Sequence, residues 1–405
     1  MEREGCLKQI DELLNLPQQS WLLGAGISKE AGIPLMYPLT KRVENLLKDQ
    51  DLSDYRELLG SLPESAHVEH VLSHIGDLLA IAARSKDKKV VFGKMKRTHD
   101  DLKALHARIQ SIIRDTMRWG YSPAENERAE RVGTANTPIV VVDHHMAFAK
   151  ALFGARRAGL DRRSAIAFFT INYDTLLEDA LALLKISATD GFSGGSMAYW
   201  DPLRPEHGFS TPFSSDCGIQ ARVYKLHGSI DWFVHEEDTV VRLREGAGYP
   251  VVQPERLLIY PQATKYRVTQ RDPFAALFAA FRSALNSTSP GLLCICGYSF
   301  GDEHVNEEIE RALKQRGNEL TVLAFVRQAS GSGGGTEAEG DGLPSVLANW
   351  LNGDGSWKER VIVVSNRGVY HGSTKNCLPA GEREHSWWSF DGLTRLLERG
   401  PEGQQ

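Results

Sequence analysis

Three short polar stretches carry the residue types that chemistry needs: Gly24-Ala25-Gly26-Ile27-Ser28, Thr170-Ile171-Asn172-Tyr173-Asp174 and His227-Gly228-Ser229. Each ends a run of apolar, β-branched or aromatic residues. The first offers glycines, which let a backbone turn tightly and come close to a pyrophosphate. The second offers an amide, Asn172, and a carboxylate, Asp174, that could hold a ribose or a water. The third offers an imidazole able to move a proton near neutral pH, with Gly228 leaving room beside it.

Each stretch also has a plainer use. A Gly-Ala-Gly sequence can be an ordinary strand–turn–helix corner, and Asp174 can cap the helix after it, serve a ligand, or do both. Asn172 has no capping role to explain it. The glycine spacing is not that of a hydride-transfer dinucleotide site: after Gly26 the next glycine is Gly32, followed by Ile33-Pro34. The helix expected from Ser28 to Ala31 would aim free N–H groups at an anion beside the turn. A fourth patch, Gly297-Tyr298-Ser299-Phe300, follows the apolar run Leu292–Cys296 and leads to Asp302, His304 and Asn306. Asp302 either caps the next helix or touches a ligand.

These stretches need a sheet to bring them together. Strands are expected at 21–23, 165–171, 222–226, 257–260, 292–296, 320–326 and 361–364. Continuously apolar strands alternating with helices indicate an α/β fold with a parallel sheet covered on both faces. Leu7, Ile10, Leu13 and Leu14 predict a short amphipathic helix before the first strand. From about Thr40 to Gly120 the period becomes 3.6 residues, through Val68, Val71, Leu72, Ile75, Leu78 and Leu79 and again through Leu102, Leu105, Ile109, Ile112, Ile113 and Met117. This predicts a large helical insertion, a lid or partner-binding module, before a polar loop at 121–137. The expected division is therefore a catalytic domain over 1–40 and 138–398, the insertion over 41–137, and a disordered tail at 399–405. Residues 330–342, rich in Gly, Ser and Glu, read as a mobile loop.

Bulk properties narrow the class. A net charge of −5 over 405 residues gives no global signature of nucleic-acid binding. Lys86-Asp87-Lys88-Lys89 and Lys94-Met95-Lys96-Arg97 read as solvated faces. No apolar run is long enough to span a bilayer, and no signal peptide opens the sequence, so no membrane role and a cytoplasmic location are expected. The five cysteines are scattered and odd in number, which argues against a disulfide framework. Cys294 and Cys296 read as small core residues of an apolar strand. His67, His70 and His74 share one helical face, a spacing that could hold a metal, but no Asp or Cys lies near them in sequence. Asp143-His144-His145 reads as a helix start, and Trp387-Trp388 as tail packing or an interface.

Taken in this order, the strings GAGIS…AGIP, TINYD, KLHGSIDW and GYSFGDEHVN resemble the NAD site of the sirtuin family, and the last two are closest to its bacterial branch. That resemblance implies a Rossmann-like doubly wound parallel sheet of the sirtuin type. It implies that Gly24, Ala25, Gly26, Ser28, Gly228, Gly297 and Ser299 bind NAD, and that Asn172, His227 and Asp174 carry the chemistry. Sirtuin deacylases usually hold a four-cysteine zinc ribbon. Here 235–253 contains no cysteine, so no zinc ribbon and no metal are expected.

That departure from the family weakens a deacylase reading; with water as the acceptor of ADP-ribose, the resemblance implies an NAD glycohydrolase with NAD as substrate. Bacterial sirtuin-like proteins of this build deplete NAD in antiviral defence. The resemblance implies a homo-oligomer and a complex with a HerA-like hexameric ATPase, with nucleic acid reached only through that partner. Two other readings stay open at this point: a protein deacylase or ADP-ribosyltransferase using the same site, and a non-catalytic NAD or ADP-ribose sensor.

Overall fold

The protein is described from a computed structural model covering residues 3–125, 128–154, 165–201, 218–234, 239–244, 256–259, 273–286, 290–329, 342–353, 355–372, 374–379 and 384–401. Helix α1 (Arg3–Leu14) leads into strand β1 (Gln19–Leu23). Next come α2 (Met36–Leu46), α3 (Asp49–Gly60), α4 (Val68–Arg84), the hairpin β2 (Lys89–Phe92) and β3 (Met95–Thr98), and α5 (His99–Trp119). Two short strands, β4 (Tyr121–Ser122) and β5 (Arg131–Val132), pair before α6 (Asp143–Phe153).

The chain then runs through β6 (Ile166–Thr170), α7 (Leu176–Leu183), β7 (Ala188–Thr189), β8 (Phe192–Gly194), β9 (Met197–Trp200), β10 (Ala221–Lys225), β11 (Gly228–Val234), β12 (Val240–Leu243) and β13 (Arg256–Ile259). It ends with α8 (Phe274–Leu285), β14 (Gly291–Cys296), α9 (Glu303–Lys314), β15 (Leu320–Val326), α10 (Ser345–Leu351), β16 (Val361–Ser365), β17 (Gly368–His371), β18 (Thr374–Pro379) and α11 (Phe390–Arg399).

Nine strands form the main sheet in the order β18-β17-β16-β15-β14-β1-β6-β10-β7. The seven from β16 to β7 are parallel, and β17 and β18 extend one edge antiparallel. Every residue of β1, β6, β10 and β14 is buried, as expected of strands covered on both faces. Successive side chains alternate between two cores. Leu22, Phe169, Tyr224 and Ile295 face α8 and α9, whereas Trp21, Leu23, Phe168 and Cys294 face α1, α6 and α11. This is the Rossmann-like doubly wound arrangement, with β1 at the centre and the chain departing from it in both directions. Its ligand crevice lies at the carboxyl ends of the central strands.

A second sheet, antiparallel throughout, has the order β13-β11-β12-β9-β8. Its hydrophobic side is an aromatic cluster. Phe192 lies 5.2 Å from Trp200 and 5.0 Å from Trp232 between ring centroids, and the Arg242 guanidinium sits over the Phe192 ring.

Residues from α2 to α5 build a third core around Leu39, Tyr55, Leu58, Val71, Leu72, Leu102 and Ile109. The stretch is not helical throughout, because β2 and β3 form a hairpin within it. Arg97, expected on a solvated face, instead clamps Asp54 of α3 through Nε–Oδ2 at 2.6 Å and Nη2–Oδ1 at 2.8 Å. Thr98 and Asp101 cap α5 reciprocally: Asp101 N donates to Thr98 Oγ1 at 3.1 Å, and Thr98 N to the Asp101 carboxylate at 2.9 Å. The loop expected at 121–137 contains the β4–β5 pairing. The disordered tail expected from Arg399 does not include 399–401: Arg399 closes α11, Gly400 N donates to Leu396 O at 2.9 Å and Pro401 is buried. Residues 402–405 lie outside the described residues, as does the expected loop over 330–341.

Candidate active site

Strand register puts the four motif stretches side by side. Leu23 pairs with Thr170 on one flank and with Cys296 on the other, and Thr170 pairs with Lys225. The next residues of each strand therefore emerge together at one edge: Gly24 after β1, Ile171 and Asn172 after β6, Leu226 and His227 after β10, and Gly297 after β14.

The glycine turn has a different local structure from the one expected. Gly24 leads into a single 3-10 turn, Ala25–Ser28, and the next α-helix starts only at Met36. Three of its N–H groups are already satisfied: Gly24 N by Cys296 O, Gly26 N by Gly297 O and Ile27 N by Gly24 O, at 2.9–3.2 Å. The helix expected from Ser28 is thus not found at this turn, and the glycines also serve close contact between two backbones. A Cβ on Gly24 would lie 2.5 Å from Gly297 O, one on Gly26 would lie 2.8 Å from Gly297 Cα, and one on Gly297 would lie 2.6 Å from Ile27 N. Gly297 also has φ +67, a left-handed value that glycine adopts freely. The result is a lip on which Gly26 and Ser299 are exposed and Ala25 and Gly297 half-buried.

Beneath the lip lies a buried polar network. Ser28 Oγ donates to Asp174 Oδ2 at 2.9 Å and accepts from Asn172 Nδ2 at 3.2 Å. Asn172 N donates to Thr170 Oγ1 at 3.0 Å, which fixes the turn leaving β6. Asp174 does double duty, for its Oδ1 accepts from Leu176 N at 3.1 Å at the start of α7. Asn172 Oδ1 is buried and has no hydrogen-bond partner among the described residues. Buried polar atoms are rarely left unbonded, so this oxygen is the group in the network best suited to take a donor from a bound molecule. The Lys225 ammonium, buried at the end of β10, donates to the Asp174 carbonyl and pairs with Glu178 at 3.2 Å. Burial raises the Glu178 pKa.

His227 is paired on its other side. Its Nε2 lies 2.8 Å from Asp302 Oδ2, with the two side chains 3% and 1% exposed. Asp302 Oδ1 accepts from His304 N and Val305 N, so this carboxylate both caps α9 and orients the imidazole. A carboxylate only accepts, so a ring proton sits on Nε2, and in the neutral imidazole Nδ1 then carries the lone pair. Gly228, at φ +86, turns the chain away from His227 into β11. Phe300, between Ser299 and Asp302, is held at φ +61, and Asn306 Nδ2 secures its carbonyl at 2.8 Å. A non-glycine residue in that region costs roughly 1–3 kcal/mol, a strain that clusters at functional sites.

The register thus unites Gly24, Ala25, Gly26, Ser28, Asn172, Asp174, His227, Gly228, Gly297 and Ser299 at one sheet edge. Sequence reading missed His145. It stands on α6 with 0% exposure, and its Nε2 lies 3.5 Å from Ser28 Oγ. Burial lowers its pKa to about 4, against the opposing charge of Asp174. The available signal was its helical phase with the buried Phe148, Ala149 and Leu152, which turns it inward rather than toward solvent. His67, at the N-cap of α4, and His70 and His74 within it do not join this site. His67 N donates to His70 Nδ1 at 3.2 Å, and His74 packs on Phe92 at 4.7 Å. Among the described residues, no three His, Cys, Asp or Glu side chains are grouped to hold a metal ion, and no helix is long and apolar enough to cross a membrane.

A SIR2-like domain is recognised over residues 166–343, from β6 past β15. That match implies NAD binding or processing. It includes Asn172, Asp174, His227, Asp302 and the Gly297 turn, while the Gly24 turn lies outside it. No curated protein shows significant similarity to the chain.

Proposed function

We propose that this protein is an NAD glycohydrolase, which cleaves the bond between nicotinamide and ribose and passes ADP-ribose to water. The observation that carries the reading is the convergence, inside a SIR2-like domain, of a histidine held by a buried carboxylate with an asparagine whose carbonyl oxygen is unpartnered.

Nicotinamide departs as a neutral ring, so the reaction asks for no general acid at the leaving group. It asks for a held ribose, a stabilised cationic C1′ and a nucleophile on the open face. Asn172 Oδ1 can accept from a ribose hydroxyl or from the attacking water, its Nδ2 being anchored on Ser28. His227 Nδ1 can take the proton as the new C–O bond forms, with Asp302 stabilising the resulting imidazolium. Asp174 adds negative potential and locks Ser28. Ala25, Gly26, Gly297 and Ser299 form the exposed lip suited to the pyrophosphate and adenosine half. In this reading 1–40 and 138–398 are the catalytic domain, and 41–137 is the inserted module, whose core also takes in Tyr173, Leu176 and Ile230 of the catalytic domain.

The wider setting rests on the resemblance drawn from the motif strings. There the enzyme acts in antiphage defence by depleting cytoplasmic NAD, as a homo-oligomer restrained or triggered by a HerA-like ATPase.

Purified protein incubated with NAD, alone and with the candidate ATPase and DNA, should release nicotinamide, measured by chromatography. His227→Ala should abolish release, and Asn172→Ala should abolish it while keeping ADP-ribose binding by calorimetry. Turnover that depends on an acyl-lysine peptide would replace this reading with a deacylase. Binding without turnover in every mixture would replace it with a nucleotide sensor.

A further inference from the structure

Tyr173 lies between the two polar residues of the Asn-Tyr-Asp segment, yet its side chain points the other way. Asn172 and Asp174 reach Ser28, whereas the Tyr173 hydroxyl donates to Glu69 Oε1 at 2.5 Å. Glu69 belongs to the first turn of α4, and both residues are buried, at 5% and 4% exposure. The Tyr173 ring is part of the same hydrophobic core as α2–α5, together with Leu176 and Ile230. Its carbonyl accepts from Ile230 N at 3.0 Å and from Ser229 Oγ at 3.3 Å, immediately after His227-Gly228. One residue therefore ties together the helical module, the Asn172–Asp174 segment and the start of β11.

We propose that Glu69 and Tyr173 are a positioning pair through which the helical module holds Asn172 and Asp174 in register with His227. A hydrogen bond to a buried carboxylate is charge-assisted and directional, and burial together with the Glu69 charge keeps the phenol protonated as its donor. A shift of the first turn of α4 would pull on Tyr173 and move the two flanking side chains against a fixed Ser28 and His227. Any event that displaces the module then reaches the site through this bond. The kinetic consequence rests on the NAD-hydrolase reading. The structural consequence does not.

The test uses the full-length protein and two readouts. Tyr173→Phe should reduce kcat for nicotinamide release by up to about a hundredfold, as a misplacement near 1 Å does, with KM for NAD held within about twofold. Glu69→Gln, whose amide oxygen still accepts, should stay close to wild type, and Tyr173→Phe combined with Glu69→Ala should be no slower than Tyr173→Phe alone. Hydrogen exchange, measured without NAD, should quicken at the amides of Asn172, Leu176 and Ile230 in both Tyr173→Phe and Glu69→Ala, with β14 and β15 as protected as before. Unchanged exchange at those amides, uniform loosening of the whole chain, or strictly additive kinetic effects would overturn the pair. Local quickening in a protein that never releases nicotinamide would uphold the pair and remove the NAD-hydrolase reading.

Discussion

Asp302→Asn separates two functions that one carboxylate performs. Oδ1 accepts from His304 N at 3.1 Å and Val305 N at 3.4 Å to cap α9, while Oδ2 faces His227 Nε2 at 2.8 Å. Asparagine caps a helix about as well as aspartate, so its Oδ1 keeps the cap and its NH2 must take the place of Oδ2. A donor facing Nε2 favours the imidazole tautomer with its proton on Nδ1, and the lone pair is lost from the nitrogen proposed as base. The imidazolium of the proposed reaction would also lose its counter-charge. An Asp→Asn change behind a catalytic histidine costs on the order of 10⁴ in kcat, which is about 5 kcal/mol of transition-state stabilisation. The stability change should be smaller, about 1.5–3 kcal/mol for one buried hydrogen bond to a charged group. Steady-state nicotinamide release and a thermal melt on the same sample distinguish the two quantities. A kcat within about tenfold of wild type in a folded Asp302→Asn protein would refute the assignment of Asp302 as the orienting group, whatever His227→Ala does.

Further expectations concern stability. His145 is buried with a folded pKa of about 4, below the unfolded value of 6.5, so the unfolded chain gains a proton first as pH falls. Stability is whole above pH 6.5, declines between 6.5 and 4 by about 3 kcal/mol in total from this group, and is flat below. Denaturant melts across that range should show the decline, and His145→Asn should make it shallower, the remainder including His67, whose pKa burial also lowers to about 4. An unchanged slope in the variant would place the loss elsewhere. Gly297→Ala meets Ile27 N at 2.6 Å and adds a side chain at φ +67. It should lower stability by more than the roughly 1–2 kcal/mol of left-handed strain alone and weaken ADP-ribose binding, both read by calorimetry. Retention of the wild-type melting temperature would mean that the two turns can separate at no cost.

The sequence was most legible where one signal had one cause. Uninterrupted apolar runs such as Ile166–Thr170 and Gly291–Cys296 can be satisfied only in a sheet covered twice, and they are strands of that kind. Strand order placed the motif residues together because polar side chains following such runs have one sheet edge to share. The glycine turn was harder. Gly24 and Gly26 suggested a close approach, and the protein atoms nearest them belong to Gly297, some 270 residues away; a partner of that kind leaves no mark in local sequence. His145 and Glu69 were missed for a related reason. Each lies in a helix whose local pattern explains it as an ordinary amphipathic position, and its partner is set by tertiary contact alone. Arg97 looked like one residue of a basic run, but on strand β3 it is claimed by Asp54 of α3.

The position of β1 at the middle of the sheet has a consequence for synthesis. That strand cannot be completed until β14 arrives, for Ser20 Oγ on β1 bonds Leu292 O on β14, 272 residues later. At roughly 5–20 residues per second, that wait is about 15–50 seconds on the ribosome. Asp302 and Gly297 come later than Leu292 still. A nascent or prematurely terminated chain therefore has the Ser28, Asn172 and His227 side chains but neither the strand nor the carboxylate that aligns them.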